Sequence, residues 1–267
     1  MPAKPHHFYW GIDMIAYSKK VVVITGATSG IGEAVVEGFA ATGASLVLVG
    51  RDRERGQRAL ESVQKLNCQA ELMLGDVTDS AFANQVIQST VESFGKISVL
   101  INSAGIIRRG SAVETSDDDW RQTFEANVNG VFYFSRAAVK AMRTTGGGSI
   151  VNIASNVGLV GCSGLVAYCA SKGAVVLLTR AMALDHAKEQ ISINAVCPGA
   201  VDTPMLVSAH SKPVTADEVL QRNVGSIPQG RVATPKEIAS LTLYLASEEA
   251  RHITGVALPI DGGFTAG

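Results

Sequence analysis

The sequence predicts an α/β fold, a doubly wound parallel sheet of about seven strands with helices on both faces. From residue 20 onward, short runs rich in valine and isoleucine alternate with longer stretches of helix-forming composition. This alternation is typical of right-handed strand, helix, strand units. Hydrophobic residues make up 46% of the chain and charged residues only 18%, so there is enough apolar material to bury a large core.

The predicted strands are short apolar runs, and the predicted helices are the longer segments between them. The strands cover 21–25, 45–49, 70–74, 99–102, 149–153, 191–196 and 256–260. The helices cover 55–66, 81–94, 120–142, 167–186 and 235–246, and a further helical pattern begins at Glu33. Prolines break up the segment 202–230, which we expect to be a long irregular connection that covers the strand ends as a lid.

The sequence predicts a single domain over residues 20–267. No Pro-rich or Ser-rich linker and no repeat interrupts residues 20–267, whereas residues 1–19 form a leader without the continuous apolar region of a secretory signal. His6 and His7 lie in this leader, where a solvated tail is expected rather than a metal site. Elsewhere no uninterrupted apolar stretch approaches the ~20 residues that cross a bilayer, so we expect no membrane association.

Charge and cysteine content narrow the class of protein. Lys and Arg number 23 and Asp and Glu 24, a net charge of −1, which argues against binding to nucleic acid or to an anionic membrane. The four cysteines, at 68, 162, 169 and 197, form no C-x-x-C pair and no zinc-like spacing. We therefore expect reduced thiols, no metal site and a cytoplasmic protein.

A glycine-rich turn follows the first strand directly. The segment TGATSGIG at 25–32 places Gly26, Gly30 and Gly32 between a strand and a helical pattern. Such glycines let the backbone approach a pyrophosphate closely, while the helix N-terminus holds the anion. The G-x-x-x-G-x-G spacing is one residue longer than the common fingerprint, so from this motif alone a purely structural turn stays open.

With the preceding Thr25, this turn resembles that of the classical short-chain dehydrogenase/reductase family, and the resemblance continues over residues 20–267. Asn102-Ser103-Ala104-Gly105 follows the fourth strand and is similar to the family's Asn-Asn-Ala-Gly, with Ser103 as a departure. The resemblance implies a Rossmann-like fold and an NAD(P)-dependent oxidoreductase that moves hydride between a nicotinamide ring and an alcohol or ketone.

The resemblance also implies a set of cofactor contacts. Asp76 and the backbone of Val77 would contact adenine, and the segment from Pro198 to Thr203 would hold the nicotinamide carboxamide. The full set comprises Gly26, Thr28, Ser29, Gly30, Ile31, Gly32, Arg51, Asp76, Val77, Asn102, Ala104, Gly105, Tyr168, Lys172, Pro198, Gly199, Val201 and Thr203.

Three residues match the family's catalytic pattern. Tyr168 and Lys172 are four residues apart and share one face of a predicted helix, and Ser155 lies thirteen residues before Tyr168 at the carboxyl end of a predicted strand. The resemblance suggests a fourth catalytic residue, Asn127, in an Asn-Val-Asn-Gly segment that should distort its helix locally. The resemblance implies that Asn127 helps hold a water against Lys172; a kink that only packs helices remains the alternative.

This set of residues suits proton transfer. A free tyrosine titrates near ~10, too high for efficient acid–base catalysis at neutral pH. An ammonium about 4 Å away, at an effective dielectric of about 20, stabilises the phenolate by up to roughly 4 kcal/mol, or about three pKa units. We therefore expect Lys172 to lower the pKa of Tyr168, and Ser155 to polarise the substrate oxygen.

The end of the second strand predicts that NADP(H) is preferred over NAD(H). In the resembling family a carboxylate that binds the ribose stands eighteen residues after the last glycine of the turn, where this chain has Gly50. Arg51 follows, and its guanidinium suits a 2′-phosphate. Asp52 could instead turn toward the ribose, which keeps NAD(H) as the alternative.

Two other classes of function compete with this interpretation. A serine hydrolase would need Ser155 in G-x-S-x-G with a histidine base, and the chain has Ala154-Ser155-Asn156 instead. A catalytically silent dinucleotide-binding or scaffold protein of the same fold would not require the complete catalytic set. An alcohol-dependent change in nicotinamide absorbance would separate these classes.

The sequence says less about substrate and assembly. Ile106, Ile107, Asn156, Cys162 and Met205 are expected near the substrate pocket. The pair Arg108-Arg109 would meet an anionic substrate or lie in a solvated loop, and both remain open. Apolar stretches at 131–142 and 174–184, with the family resemblance, predict a homotetramer or homodimer.

Overall fold

A computed structural model describes residues 17–208 and 214–267, so the prediction for His6 and His7 lies outside the described residues. Its strands pair in parallel in the order β3-β2-β1-β4-β5-β6-β7, and the predicted fold class is confirmed. The strands are β1 Val21–Thr25, β2 Ser45–Gly50, β3 Ala70–Leu74, β4 Val99–Asn102, β5 Gly148–Ile153, β6 Ile191–Pro198 and β7 Ala257–Ile260. All seven lie within a few residues of the predicted runs.

The described helices follow the predicted segments with two differences. They are α1 Gly30–Ala40, α2 Arg53–Gln64, α3 Ser80–Phe94, α4 Asp117–Phe124, α5 Gly130–Met142, α6 Val166–His186, α7 Pro204–Val207, α8 Ala216–Val224 and α9 Pro235–Ala246. A π-helical turn, Glu125–Asn129, divides the predicted helix 120–142 at the site of the expected distortion. The segment 202–230, expected to be irregular, contains α7 and α8, and Pro204 begins α7 rather than breaking it, since a proline is tolerated in the first turn of a helix.

The sheet is covered on both faces. Val22 and Ile24 of β1 belong to a core that includes residues of α1, α2 and α9, whereas Val23 points into a second core with residues of α3, α5 and α6. Successive side chains of a strand alternate between faces, so an all-apolar strand feeds both cores. Each buried Val or Ile side chain contributes about 1.5–3 kcal/mol relative to exposure.

Helix α6 qualifies a prediction about membranes. Among the described residues, the stretch Val166–Glu189 is long and apolar enough to cross a bilayer by length and composition, although Lys172 and Arg180 interrupt it, so it is not an uninterrupted apolar stretch. Half of its best window is buried in the protein, and one helix of this kind is weak evidence of a span. Its inward face packs against β6 and carries Val175, Val176 and Thr179.

The strand order creates a crevice at one edge of the sheet. Strands β2 and β3 follow β1 toward one end of the sheet, and strands β5, β6 and β7 follow β4 toward the other end. Strands β1 and β4 are neighbours in the middle. Thr25 at the end of β1 is in register with Asn102 at the end of β4. The loops that leave these two strands therefore diverge, and ligands of open parallel sheets bind at such a point.

Candidate active site

A cavity of about 340 Å³ occupies this crevice. It is bounded by the β1–α1 turn, the loop after β4, the start of α6 and the loop after β6. The predicted site residues that line it are Gly26, Ser29, Gly30, Ile31, Ala104, Gly105, Ser155, Tyr168, Lys172, Pro198, Gly199, Val201 and Thr203. Residues distant in sequence, predicted from separate motifs, thus share one cavity.

The turn after β1 fits a dinucleotide pyrophosphate. Gly26 has φ of 67°, and a Cβ there would lie 2.7 Å from the Ala104 nitrogen, so only glycine fits. Thr25 Oγ1 accepts from the Ser103 and Ala104 nitrogens, at 3.2 Å each, and ties the two loops together. The Ser29 side chain does not cap α1, so among the described residues the N-cap side chain leaves the N–H groups at this helix N-terminus available to an anion.

The predicted adenosine end of the site lies beyond the cavity. Six of the predicted cofactor contacts do not line the cavity: Thr28, Gly32, Arg51, Asp76, Val77 and Asn102. Arg51 extends into solvent, with a terminal nitrogen 3.3 Å from Asp76 Oδ2. Burial by itself would raise the pKa of the Asp76 carboxyl. Hydrogen bonds from Thr78 and the positive charge of Arg51 together have a larger opposite effect, so the pKa of Asp76 lies below its ordinary value.

Asn102 differs from the other predicted contacts because its side chain faces the interior. Its Nδ2 donates to Ser135 Oγ at 3.0 Å and to Asn152 Oδ1 at 2.8 Å, and the residue is 2% exposed. Its Oδ1 is a buried acceptor without a partner among the described residues. The side-chain amide therefore joins β4 to β5 and α5, and the structure gives no support for a direct cofactor contact by this side chain.

Ser155, Tyr168 and Lys172 converge at the inner wall of the cavity. Tyr168 lies in the first turn of α6, and Lys172, one turn later, donates to the Ile153 carbonyl oxygen at 2.8 Å. Ser155 follows β5 and caps a short 3₁₀ turn, with its Oγ accepting from the Val157 nitrogen at 3.4 Å. All three side chains are less than a tenth exposed, which makes their mutual electrostatics strong.

The pKa values correct one expectation. Burial raises the pKa of Tyr168 to about 12, while hydrogen bonding to Ser155 and the charge of Arg109 lower it less. Burial also lowers the pKa of Lys172 to about 8. The predicted lowering of the Tyr168 pKa by Lys172 is wrong for this structure, because removal from water disfavours the phenolate more than Ser155 and Arg109 stabilise it, and Lys172 is not among the groups that lower this pKa.

Asn127 clamps the loop after β4 rather than lining the cavity. It is fully buried within the π-helical turn, and its Nδ2 donates to the Ile106 carbonyl oxygen at 2.9 Å and to Ser171 Oγ at 3.1 Å. Its Oδ1 accepts from the Ile106 nitrogen at 2.8 Å. The Asn127 side chain thus joins the π-helical turn, the loop and α6 behind Lys172.

The outer part of the cavity is mainly apolar. Of the residues expected near the substrate, Ile107, Asn156, Cys162 and Met205 line it and Ile106 does not. Sequence analysis missed further lining residues: Leu165, Leu206, Ile227, Asp261 and Phe264. No local motif marks these residues, since they come from four separate segments: the residue before α6, α7, the segment after α8 and the C-terminal turn.

Histidine is missing from the described lining of this cavity. His186 Nδ1 lies 2.9 Å from Glu189 Oε2, and His252 lines a separate cavity at the amino ends of β4, β5 and β6, the opposite edge of the sheet. Ser155 therefore has no histidine base among residues 17–208 and 214–267. This arrangement weighs against the serine hydrolase alternative.

Comparison with known proteins gives the same fold and class. A family model described as enoyl-(acyl carrier protein) reductase matches residues 26–265. Meso-2,3-butanediol dehydrogenase of Serratia marcescens is 41% identical over 94% of this chain and 96% of its own. Trans-4-hydroxycyclohexanecarboxylate dehydrogenase of Sinomonas cyclohexanicum is 40% identical over 94% of both chains.

A solved structure extends the match to three dimensions. The short-chain type dehydrogenase/reductase from Mycobacterium marinum superposes with a TM-score of 0.89 at 31% identity, over 96% of this chain and 99% of that one. The chain therefore belongs to the short-chain dehydrogenase/reductase family and is an NAD(P)-dependent oxidoreductase that acts on an alcohol or ketone.

Proposed function

We propose that Tyr168 is the general acid/base of this reaction and that Ser155 and Lys172 assist it. The observation that carries the proposal is the convergence of these three buried side chains in one cavity, beside the uncapped N-terminus of α1. The nicotinamide ring supplies or accepts the hydride. The chain's own residues therefore need only position the substrate and move one proton.

The proton moves between Tyr168 and the substrate oxygen. In reduction, the phenol donates its proton to the oxygen of the former carbonyl as the carbon gains hydride; in oxidation, the phenolate accepts it. A pKa of about 12 keeps Tyr168 protonated at neutral pH, which is the form that reduction requires, although it also makes the phenol a weaker acid than a free tyrosine. Ser155 donates a hydrogen bond to the same oxygen and stabilises its developing negative charge.

Lys172 and Asn127 act around this centre. Lys172, whose pKa is about 8, supplies positive charge behind the phenol and would bind the nicotinamide ribose. Asn127 is a positioning residue, because its amide fixes the loop that bears Ile106 and Ile107. The water-holding role predicted for Asn127 remains part of the proposal.

The preferred cofactor in this proposal is NADP(H). Gly50 ends β2 without a carboxylate, and the exposed Arg51 can leave its weak pair with Asp76 to meet a 2′-phosphate. Asp52, the source of the NAD(H) alternative, caps α2 by accepting from the Arg55 nitrogen at 2.9 Å and pairs with Arg55 Nε at 3.0 Å. These bonds hold Asp52 away from a ribose.

The substrate in this proposal is a small secondary alcohol or its ketone. The names of the two relatives point to a diol and a hydroxy acid, and the cavity has apolar outer walls. We also propose one domain over residues 20–267 that works as a homotetramer or homodimer in the cytoplasm, where the four free cysteines would stay reduced.

A cofactor-absorbance assay tests the proposal. The protein is incubated with a panel of alcohols and NADP⁺ or NAD⁺, and with ketones and the reduced cofactors. We expect turnover with at least one pair and higher kcat/KM with the phosphorylated cofactor. Cofactor binding without turnover of any compound would instead favour the catalytically silent alternative.

A further inference from the structure

The two adjacent arginines after β4 have different environments. Arg108 Nε lies 3.0 Å from Asp119 Oδ1, and one of its terminal nitrogens donates to Gln122 Oε1 at 3.1 Å. Arg109 instead lines the cavity that contains Tyr168. Within residues 17–208 and 214–267, the Arg109 guanidinium contacts no carboxylate. The structure thus separates two residues that the sequence could only treat as a pair.

Backbone groups hold the Arg109 guanidinium in place. Its Nε donates to the Ser208 carbonyl oxygen and a terminal nitrogen donates to the Leu206 carbonyl oxygen, both at 3.2 Å, at the end of α7. The next residue, Gly110, forms a bridge to the segment just before α6, where its nitrogen donates to the Gly164 carbonyl oxygen at 2.8 Å. An arginine has five N–H donors, so three remain available.

Arg109 is close to the catalytic tyrosine and partly removed from water. Burial lowers the pKa of its guanidinium, whereas interactions with Cys162 and Tyr168 raise it by less. Arginine remains charged at any physiological pH even so. A partly buried charge that lacks a counter-ion is costly, and an anion bound in the cavity would remove that cost.

The other charged groups that line the cavity are already engaged. Lys172 donates to the Ile153 carbonyl oxygen, and the Asp261 carboxylate accepts from the Gly263 and Thr265 nitrogens at 3.0 Å each. Lys172 keeps two of its three N–H donors, but the proposed function assigns the ammonium to the nicotinamide ribose. Among the described charged residues that line the cavity, Arg109 is therefore the one whose spare donors have no assigned partner. Because one guanidinium balances one negative charge and forms a bidentate pair with a carboxylate, a monoanion suits this site better than a phosphate.

We propose that the substrate is a small hydroxy acid, or the corresponding oxo acid, whose carboxylate pairs with Arg109 while its reacting oxygen meets Tyr168 and Ser155. This inference rests on the proposed oxidoreductase function. The cavity of about 340 Å³ must also admit the nicotinamide end of the cofactor, so the carbon skeleton is short. The apolar side chains of Ile107 and Met205 would cover it.

Matched acids and amides test this assignment. The probes are 3-hydroxybutyrate and trans-4-hydroxycyclohexanecarboxylate, each compared with its uncharged carboxamide. For at least one pair we expect wild-type kcat/KM for the acid to exceed that for the amide by about tenfold or more. Arg109→Gln should lower the acid value by about thirtyfold and change the amide value by less than about threefold. Arg109→Lys, which keeps the charge, should restore part of the preference.

Arg108→Gln is the matched control, since it removes the same charge from the same loop outside the cavity; it should keep the acid preference. Equal losses for acid and amide in Arg109→Gln would overturn the proposal, because the arginine would then act only by holding α7. A wild type that uses the amides as well as the acids would overturn it too. Failure to oxidise any alcohol would refute the proposed function instead. In that case, thermal denaturation with each of the two hydroxy acids still tests Arg109. The acids should raise the melting temperature of wild type and should not raise that of Arg109→Gln.

Discussion

Lys172 Nζ lies 5.7 Å from the centroid of the Tyr168 ring and 2.8 Å from the Ile153 carbonyl oxygen. Within the part of the chain that the structure describes, the lysine is therefore held behind the phenol by a backbone acceptor and not by a carboxylate. Both residues are buried, and burial favours the neutral form of each side chain. It raises the pKa of Tyr168 to about 12 and lowers the pKa of Lys172 to about 8. The functional and energetic consequences of this pair can be measured separately.

Removal of the phenolic hydroxyl should abolish turnover while leaving cofactor binding intact. Tyr168→Phe keeps the ring that packs with Ile107 and Leu165 but deletes the proton donor. We expect kcat to fall by about a hundredfold or more, with the cofactor Kd changed by less than about threefold. Turnover above about a tenth of wild type would exclude Tyr168 as the general acid/base.

Lys172 should leave a signature in the pH dependence of stability. Its pKa in the folded protein, about 8, is below the ordinary value of 10.5, so between these values the unfolded chain binds more protons. The free energy of unfolding therefore rises with pH across that window. Relative to Lys172→Met, wild type should gain about 3 kcal/mol as pH rises from about 8 to about 10.5.

Chemical denaturation of both proteins without cofactor at several pH values measures this difference. Other titrating groups are common to the two proteins and cancel. Parallel stability curves would show that Lys172 has an ordinary pKa. Lys172→Met should also be inactive and bind cofactor more weakly, since the ammonium that meets the ribose is lost.

Cofactor preference should respond to two substitutions at the end of β2. Arg51→Ala should lower the ratio of kcat/KM for NADP⁺ over NAD⁺ by about tenfold or more. A carboxylate at position 50 should favour NAD⁺, but a Cβ there would lie 2.6 Å from Thr28 Cγ2. Gly50→Asp should therefore be combined with Thr28→Ser, which deletes that methyl group.

Kinetics with both cofactors checks these variants. Thr28→Ser alone is the control for the double variant, and Arg53→Ala, on α2, controls for loss of a nearby positive charge. If Arg51→Ala leaves the ratio unchanged, or wild type prefers NAD⁺, the preference does not originate in this loop.

Assembly should depend on the outer faces of α5 and α6. Leu177 is 64% exposed and Leu184 83% exposed, two turns apart on the same side of α6, and Phe132 of α5 is also exposed. Leu177→Lys combined with Leu184→Lys should convert an oligomer to a monomer, because the charges would be buried in the interface. Light scattering at micromolar concentration gives the mass.

Leu66→Lys is the control for this experiment. Leu66 is 55% exposed, beyond the end of α2, so its replacement should leave the assembly intact. A monomeric wild type would contradict the predicted homo-oligomer, and an oligomer unaffected by the double variant would place the interface elsewhere.

The sequence alone determined the elements and the family. Short β-branched runs and their separation by helical segments specify a covered parallel sheet, because these are local properties of the chain. The Tyr168–Lys172 spacing, which puts both side chains on one helix face, and the helix distortion near Asn127 are local in the same sense. These features were correctly predicted, while the catalytic roles remain predictions.

Only the tertiary structure decided which way particular side chains face. Asn102 turns inward because Ser135 and Asn152 lie beside it, and Arg109 enters the cavity while Arg108 pairs outside. The same holds for the raised pKa of Tyr168, which reflects burial by segments far away in the chain. Contacts between residues distant in sequence depend on strand order and register, and no local spacing records them.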